Sequence, residues 1–147
     1  MKTAICYYSY HHGNTKKVLQ AIAQGREIAL IDAADCRADQ LEEYEAVGFA
    51  SGIYFGKFHA SLARLAQQLP PGRKVFFIYT CGSPRSYTKE IAGIAAGRGA
   101  RILGEYGCRG FDTFGPFKLV GGIAKGHPDA QELEKARDFY ARIAGEK

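Results

Sequence analysis

Lys74-Val75-Phe76-Phe77-Ile78-Tyr79-Thr80 carries its apolar and aromatic side chains in unbroken succession from Val75 to Tyr79. A strand with one wet face alternates apolar and polar positions, whereas a strand covered on both faces runs apolar throughout. The stretch therefore reads as a central strand of a parallel sheet with helices on either side. Its flanks agree. Upstream, Leu62, Leu65, Ala66 and Leu69 fall at i, i+3, i+4 and i+7, the stripe of an amphipathic helix, and Pro70-Pro71-Gly72 stops it. Downstream, Thr80-Cys81-Gly82-Ser83 is a loop of small residues, and Tyr87–Ala96 reads as a helix with Ile91, Ile94 and Ala95 inward.

The same alternation reaches both ends. Lys2–Ser9 is strand-like, and Asn14–Gln24 is helical with Val18, Ala21 and Ile22 on one face. Glu27–Asp32 is a short strand, Asp39–Tyr44 offers one or two helical turns, and Ala46–Ser51 reads as a buried strand. Arg101–Cys108 is a fifth strand. Pro128 opens the last helix at its first position, where a missing N–H costs nothing, and Leu133, Ala136, Tyr140 and Ile143 form its buried stripe. Five strands alternating with five helices predict an α/β fold, a five-stranded doubly wound parallel sheet with helices on both faces, and residues 1–147 as one domain.

Composition removes several functional classes. No apolar stretch approaches the roughly 20 residues of a membrane span. Met1–Cys6 lacks the pattern of a secretory signal, so the reading is a cytoplasmic chain. Cys6, Cys36, Cys81 and Cys108 show neither a Cys-x-x-Cys pair nor the Cys/His spacing of a zinc site, so no metal is expected. They read as free buried thiols without chemistry. The net charge of +5 suits an acidic partner. Lys16-Lys17, Arg64, Arg73-Lys74, Arg98, Arg101 and Arg109 form no dense run, which argues against nucleic acid.

In such sheets ligands bind beyond the carboxyl ends of the strands. Three loops fall there, all rich in Gly, Ser or Thr. The first is Ser9-Tyr10-His11-His12-Gly13-Asn14-Thr15, which follows a strand and opens a helix. The first N–H groups of that helix and the positive end of its dipole favour an anion. Gly13 lets the backbone approach a ligand, and Ser9, Asn14 and Thr15 supply short polar side chains. An ordinary helix cap reads almost the same way. The loop has neither the lysine of a nucleoside-triphosphate loop nor the three glycines of a dinucleotide fingerprint, so a compact monophosphate fits best.

Ser9…Gly13-Asn14-Thr15 resembles the phosphate loop of the flavodoxin family, Thr/Ser-x-Thr/Ser-Gly-Asn-Thr, with one extra residue and a His11-His12 pair. The resemblance covers the whole chain in element order and length. It implies strand order 2-1-3-4-5 and flavin mononucleotide (FMN) as cofactor. Ser51-Gly52-Ile53-Tyr54-Phe55-Gly56-Lys57 is similar to the family's second flavin loop, with Tyr54 and Phe55 as an aromatic wall for the ring. Thr80-Cys81-Gly82-Ser83 resembles the third, which meets the pyrimidine edge. Tyr87 either stacks on the ring or starts the next helix. Cys108–Pro116 could close one edge of the site, and Lys118–His127 is long for a loop and could carry partner contacts.

The family's members are typically acidic, and this chain is basic. Lys57, Arg85, Arg109 and Lys118 near the flavin would stabilise a reduced, anionic ring and make its potential less negative. Three functions fit: an electron carrier docking on an acidic redox partner, an FMN-dependent oxidoreductase of the quinone or porphyrinogen type, or a non-enzymatic module that keeps the fold and an anion site. No general acid or base stands out in the three loops, which favours the carrier.

Overall fold

The computed structural model describes residues 1–8, 13–82, 85–109 and 128–146. Five strands, β1 (Thr3–Tyr8), β2 (Ile28–Asp32), β3 (Ala46–Gly52), β4 (Lys74–Cys81) and β5 (Arg101–Arg109), form one sheet in the order β2-β1-β3-β4-β5. Every neighbouring pair is parallel. Among the described residues the helices are α1 (Asn14–Ala23), α2 (Ala60–Gln67), α3 (Lys89–Gly97) and α4 (Ala130–Ile143), with a 3-10 helix at Ala38–Glu43.

The unbroken apolar run of β4 is explained by what covers it. Val75, Phe77 and Tyr79 face one layer with Leu62, Leu65 and Ala66 of α2, Ile91 and Ala95 of α3, and Leu41 of the 3-10 helix. Phe76 and Ile78 face the opposite layer, with Val18, Leu19 and Ile22 of α1 and Ala136, Phe139 and Tyr140 of α4. Both faces are dry from Val75 to Tyr79, so that run is apolar without a break, and the buried hydroxyl of Thr80 that follows it is hydrogen-bonded.

α4 is tied to the beginning of the chain. Tyr140 Oη donates to Thr3 Oγ1 at 2.9 Å, the Arg137 guanidinium donates to the Ala21 and Gln24 carbonyls, and Arg26 pairs with Glu146 at 3.0 Å. No helix among the described residues is long and apolar enough to cross a membrane.

Four local features differ from the sequence reading. The turns expected at Asp39–Tyr44 form a 3-10 helix that buries only Leu41. The helix expected from Tyr87 begins at Lys89, because Ser86 and Thr88 donate their hydroxyls to Glu105 of β5 at 3.0 Å each. Tyr87 meanwhile packs edge-on against Tyr79, their centroids 5.6 Å apart. α4 begins at Ala130, not at Pro128: Asp129 is its N-cap and exchanges hydrogen bonds with Glu132 at 2.8 and 3.2 Å, a capping box. In β5 the register steps from Val75↔Ile102 to Phe76↔Gly104, so Leu103 is an extra residue that bulges this edge strand.

Candidate functional site

The sheet brings the three loops to one edge. Tyr8 pairs with Ser51 and Gly52 with Thr80, so β1, β3 and β4 end level with one another. The chain leaves β1 toward β2 on one side and returns to β3 on the other, which opens a crevice above β1.

Gly13 opens α1 in the left-handed region (φ 63°, ψ 26°), and its carbonyl accepts the Lys17 N–H at 3.1 Å. Glycine adopts this conformation freely, whereas a residue with a Cβ is strained by about 1–2 kcal/mol. Asn14 and Thr15 are therefore the first helical residues, both buried, and the N-cap has no side chain to cap the helix. The first turn holds no acidic residue, while Lys16 and Lys17 are exposed there. Positive charges at the positive end of a helix dipole are unfavourable until an anion joins them. Ser9, Tyr10, His11 and His12 lie outside the described residues, as does Ser83.

Thr15 is not a solvent-facing donor. Its Oγ1 lies 2.9 Å from Thr80 Oγ1, both residues being buried, and this bond ties the first turn of α1 to the end of β4. Replacing Thr15 with valine, which keeps the shape, leaves the buried Thr80 hydroxyl without that partner. A loss of about 1–3 kcal/mol in urea unfolding is expected. The Thr15→Val/Thr80→Val pair should recover most of it in a double-mutant cycle.

The second loop is built on Ser51, which is fully buried. Its hydroxyl donates to the Gly52 carbonyl at 2.5 Å and accepts the His59 N–H at 3.1 Å, so it fixes the base of the loop. Ile53 packs against the core of the α2 and α3 layer. Tyr54 and Lys57 exchange backbone hydrogen bonds of 2.8 and 3.2 Å around Phe55 and Gly56, whose φ values are 54° and 79°. Two positive φ angles in succession match a type I′ turn. The turn lifts Phe55 to 88% exposure.

Beneath this turn the Tyr8 and His59 rings stack at 3.6 Å with Tyr54 edge-on to both. His59 Nδ1 accepts the Ser61 N–H at 3.2 Å, so the imidazole caps α2. Partial burial, and then the Arg64 charge, hold the His59 pKa below its usual value. The unfolded chain thus takes up the proton first. The stabilisation from neutral His59 is complete above about pH 6.5 and declines as the pH falls below it. The urea midpoint of the protein should drop over that window relative to a His59→Asn variant, in which asparagine can cap at any pH.

The third loop begins at Thr80, already committed to Thr15. The Cys81 thiol donates to the Cys108 carbonyl at 3.5 Å, and Gly82 follows half-buried. Cys108 itself is pushed up to about 12 by burial and then by Glu132, far from reactive. Arg85 lies 4.9 Å over the Tyr87 ring. A cleft of about 460 Å³ opens between the second loop and this segment, lined by Gly56, Lys57, Ser86, Tyr87, Lys89 and Glu90.

Of the four basic residues expected near the ligand, Lys57 lines the cleft but pairs with Glu90 at 3.0 Å. Arg85 stands across the turn, its Nη2 3.8 Å from where a Cβ on Gly56 would lie. Arg109 ends β5 with its backbone N–H on Glu132 at 2.9 Å, and Lys118 falls outside the described residues. Cys108 and Arg109 are the described part of the expected closing segments, and residues 110–127 lie outside. Glu105, which anchors the wall carrying Tyr87, was missed from sequence. Its one signal is a carboxylate within an otherwise uncharged stretch of strand.

A sequence profile of the flavodoxin domain matches residues 4–96, which contain all three loops. An uncharacterized protein of Methanocaldococcus jannaschii is 38% identical over 147 residues, covering 97% of this chain and 98% of its own. Among solved structures, an archaeal flavodoxin superposes with a TM-score of 0.71 at 20% identity, covering 99% of this chain and 97% of that one. A flavodoxin variant of Fusobacterium nucleatum bound to flavin mononucleotide gives 0.70 at 14% identity, with 99% and 96% covered. The profile spans more than half of the chain, and the sheet order and loop placement agree with it. The chain belongs to the flavodoxin-domain family.

Proposed function

We propose that this chain binds flavin mononucleotide at the carboxyl edge of its sheet and carries electrons to an acidic redox partner in the cytoplasm. The observation that carries the reading is the first turn of α1. It is opened by a left-handed glycine, holds no acidic residue, presents Lys16 and Lys17, and is latched by Thr15 to the end of β4. That is a seat for a phosphate.

The remaining residues suit the rest of the ligand. Tyr87 offers an aromatic face within the cleft and Gly56 borders it, while Phe55, next to Gly56 in the turn, is an exposed ring available to cover the ligand. Ser9–His12 would complete the phosphate loop, with Asn14 beside Gly13. Thr80, Cys81, Gly82 and Ser83 would meet the polar edge of the ring, while Ser51, Gly52, Ile53 and Tyr54 position the turn. When bound, the flavin supplies one- or two-electron transfer. The protein's share is to orient it, to exclude water from one face, and to set the local charge through Arg85.

The test is direct. Purified protein is expected to be yellow and to release flavin mononucleotide on denaturation, and the resulting apoprotein should rebind it. Colourless protein that takes up no added flavin overturns the reading. Steady turnover of a quinone by the isolated protein with reduced nicotinamide would overturn the carrier role in favour of an oxidoreductase.

A further inference from the structure

We propose that Cys6 and Cys36 form a redox-active dithiol that closes to an intramolecular disulfide on reaction with hydrogen peroxide. The two residues stand 30 positions apart, yet their Sγ atoms lie 3.0 Å from each other. A bonded pair sits at about 2.05 Å, so about 1 Å of approach separates the dithiol from the disulfide. Cys81 and Cys108 face opposite layers of the sheet, and the Cys81 thiol is turned to the Cys108 carbonyl instead of its sulfur.

The placement of the two thiols gives them different roles. Cys6 is in the middle of β1, fully buried and paired with β2 and β3 on either side, so it cannot move far. Cys36 lies outside regular structure, between the Asp32–Asp35 turn and the 3-10 helix, and keeps 9% of its surface exposed. The partner outside the sheet is thus the one a reagent reaches. That narrow access admits a two-oxygen molecule more readily than a bulky disulfide. The hydrogen bond from Cys6 also holds the Cys36 thiol below its ordinary range, while Cys6, bonded and buried, is pushed well above it. Cys36 is therefore the thiolate that attacks first.

In the first step the Cys36 sulfur attacks one peroxide oxygen. An S–O bond forms, the O–O bond breaks, and the departing hydroxide takes a proton and leaves as water. Cys36 is then a sulfenic acid. In the second step the Cys6 sulfur attacks the Cys36 sulfur, the S–S bond forms, and the S–O bond breaks. The Cys6 proton leaves with the oxygen as a second water. Two thiols have lost two electrons and two protons, and one peroxide has become two waters. The chemistry is independent of the flavin reading, since neither sulfur belongs to the loops assigned to that ligand.

The experiment uses the full chain as purified, reduced with dithiothreitol, desalted, and titrated with hydrogen peroxide in the dark. Free thiols are counted after denaturation, and linked peptides are mapped without reduction. The count should fall from the four cysteines of the chain to two, with one linkage joining Cys6 to Cys36, and dithiothreitol should restore it. A Cys6→Ser variant should stop at a sulfenic acid on Cys36 that dimedone traps, and Cys36→Ser should form no linkage. Retention of all four thiols in the folded wild type under peroxide that oxidises its unfolded chain would overturn the proposal. So would a linkage between any other pair in the wild type, which needs no variant to fold.

Discussion

Replacing Lys16 and Lys17 together with glutamate is expected to weaken flavin mononucleotide binding about tenfold to hundredfold at low ionic strength, while leaving the ligand-free protein as stable as before or more so. The opposite signs follow from one cause. In the ligand-free protein both lysines stand in the first turn of α1, where the helix dipole is positive and no acidic residue offsets it. Two carboxylates there would each gain about 0.3–1 kcal/mol. A bound phosphate reverses the preference. At about 10 Å in water, a swing of four charge units against a dianion amounts to about 3 kcal/mol before screening. Added salt should shrink the loss to a few-fold at physiological strength. Fluorescence titration of the apoprotein at two salt concentrations, beside urea unfolding of the ligand-free form, separates the two effects. Unchanged affinity at low salt would remove the phosphate from this turn.

The largest effect on stability is expected from Phe76→Ala, a loss of about 3–5 kcal/mol in urea unfolding. Phe76 is fully buried, with Tyr140 and Phe139 of α4 at 5.8 and 6.4 Å between ring centroids. The ring also explains the glycine beside it. A Cβ placed on Gly48, its register partner in β3, would lie 2.5 Å from Phe76 Cε2 and 3.1 Å from Ile5 Cγ1. Gly48→Ala alone should therefore cost about 1–3 kcal/mol by overpacking. In the Phe76→Ala background the same change should cost little, because the vacated ring volume receives the methyl. A coupling near zero between the two substitutions would show that the sheet, not the ring, excludes a side chain at Gly48.

The two substitutions also show what could be read without coordinates. The run from Val75 to Tyr79 announced a strand covered on both faces because pattern and burial are the same fact seen twice. The three loops were legible because each follows a strand, and a parallel sheet sends all such loops to one edge. Pairings across long separations left no trace in the sequence. Thr15 and Thr80 are 65 residues apart, and each looked like an independent ligand donor until their hydroxyls were found bonded to each other. Ser51 likewise turned inward to hold the His59 N–H. The start of α3 was misplaced because Glu105, from a strand beyond it, takes the hydroxyls of Ser86 and Thr88. Local propensity describes what a segment can do alone; these residues are arranged by partners arriving from elsewhere.

The bonds of α4 to the opening strand set an order of events in time. Tyr140 reaches Thr3 across 137 positions, and Arg137 and Arg26 bind α4 and the residues just after it to α1 and the turn that follows. Of these elements β1 and α1 are made early, but α1 covers only part of its layer of the sheet, and the rest stays open until α4 is made. Closing so long a loop is slow and yields its reward late. The nascent chain should therefore remain open until α4 has left the ribosome, and a fragment ending at Arg109 should stay unfolded while the longer chain folds in one cooperative step.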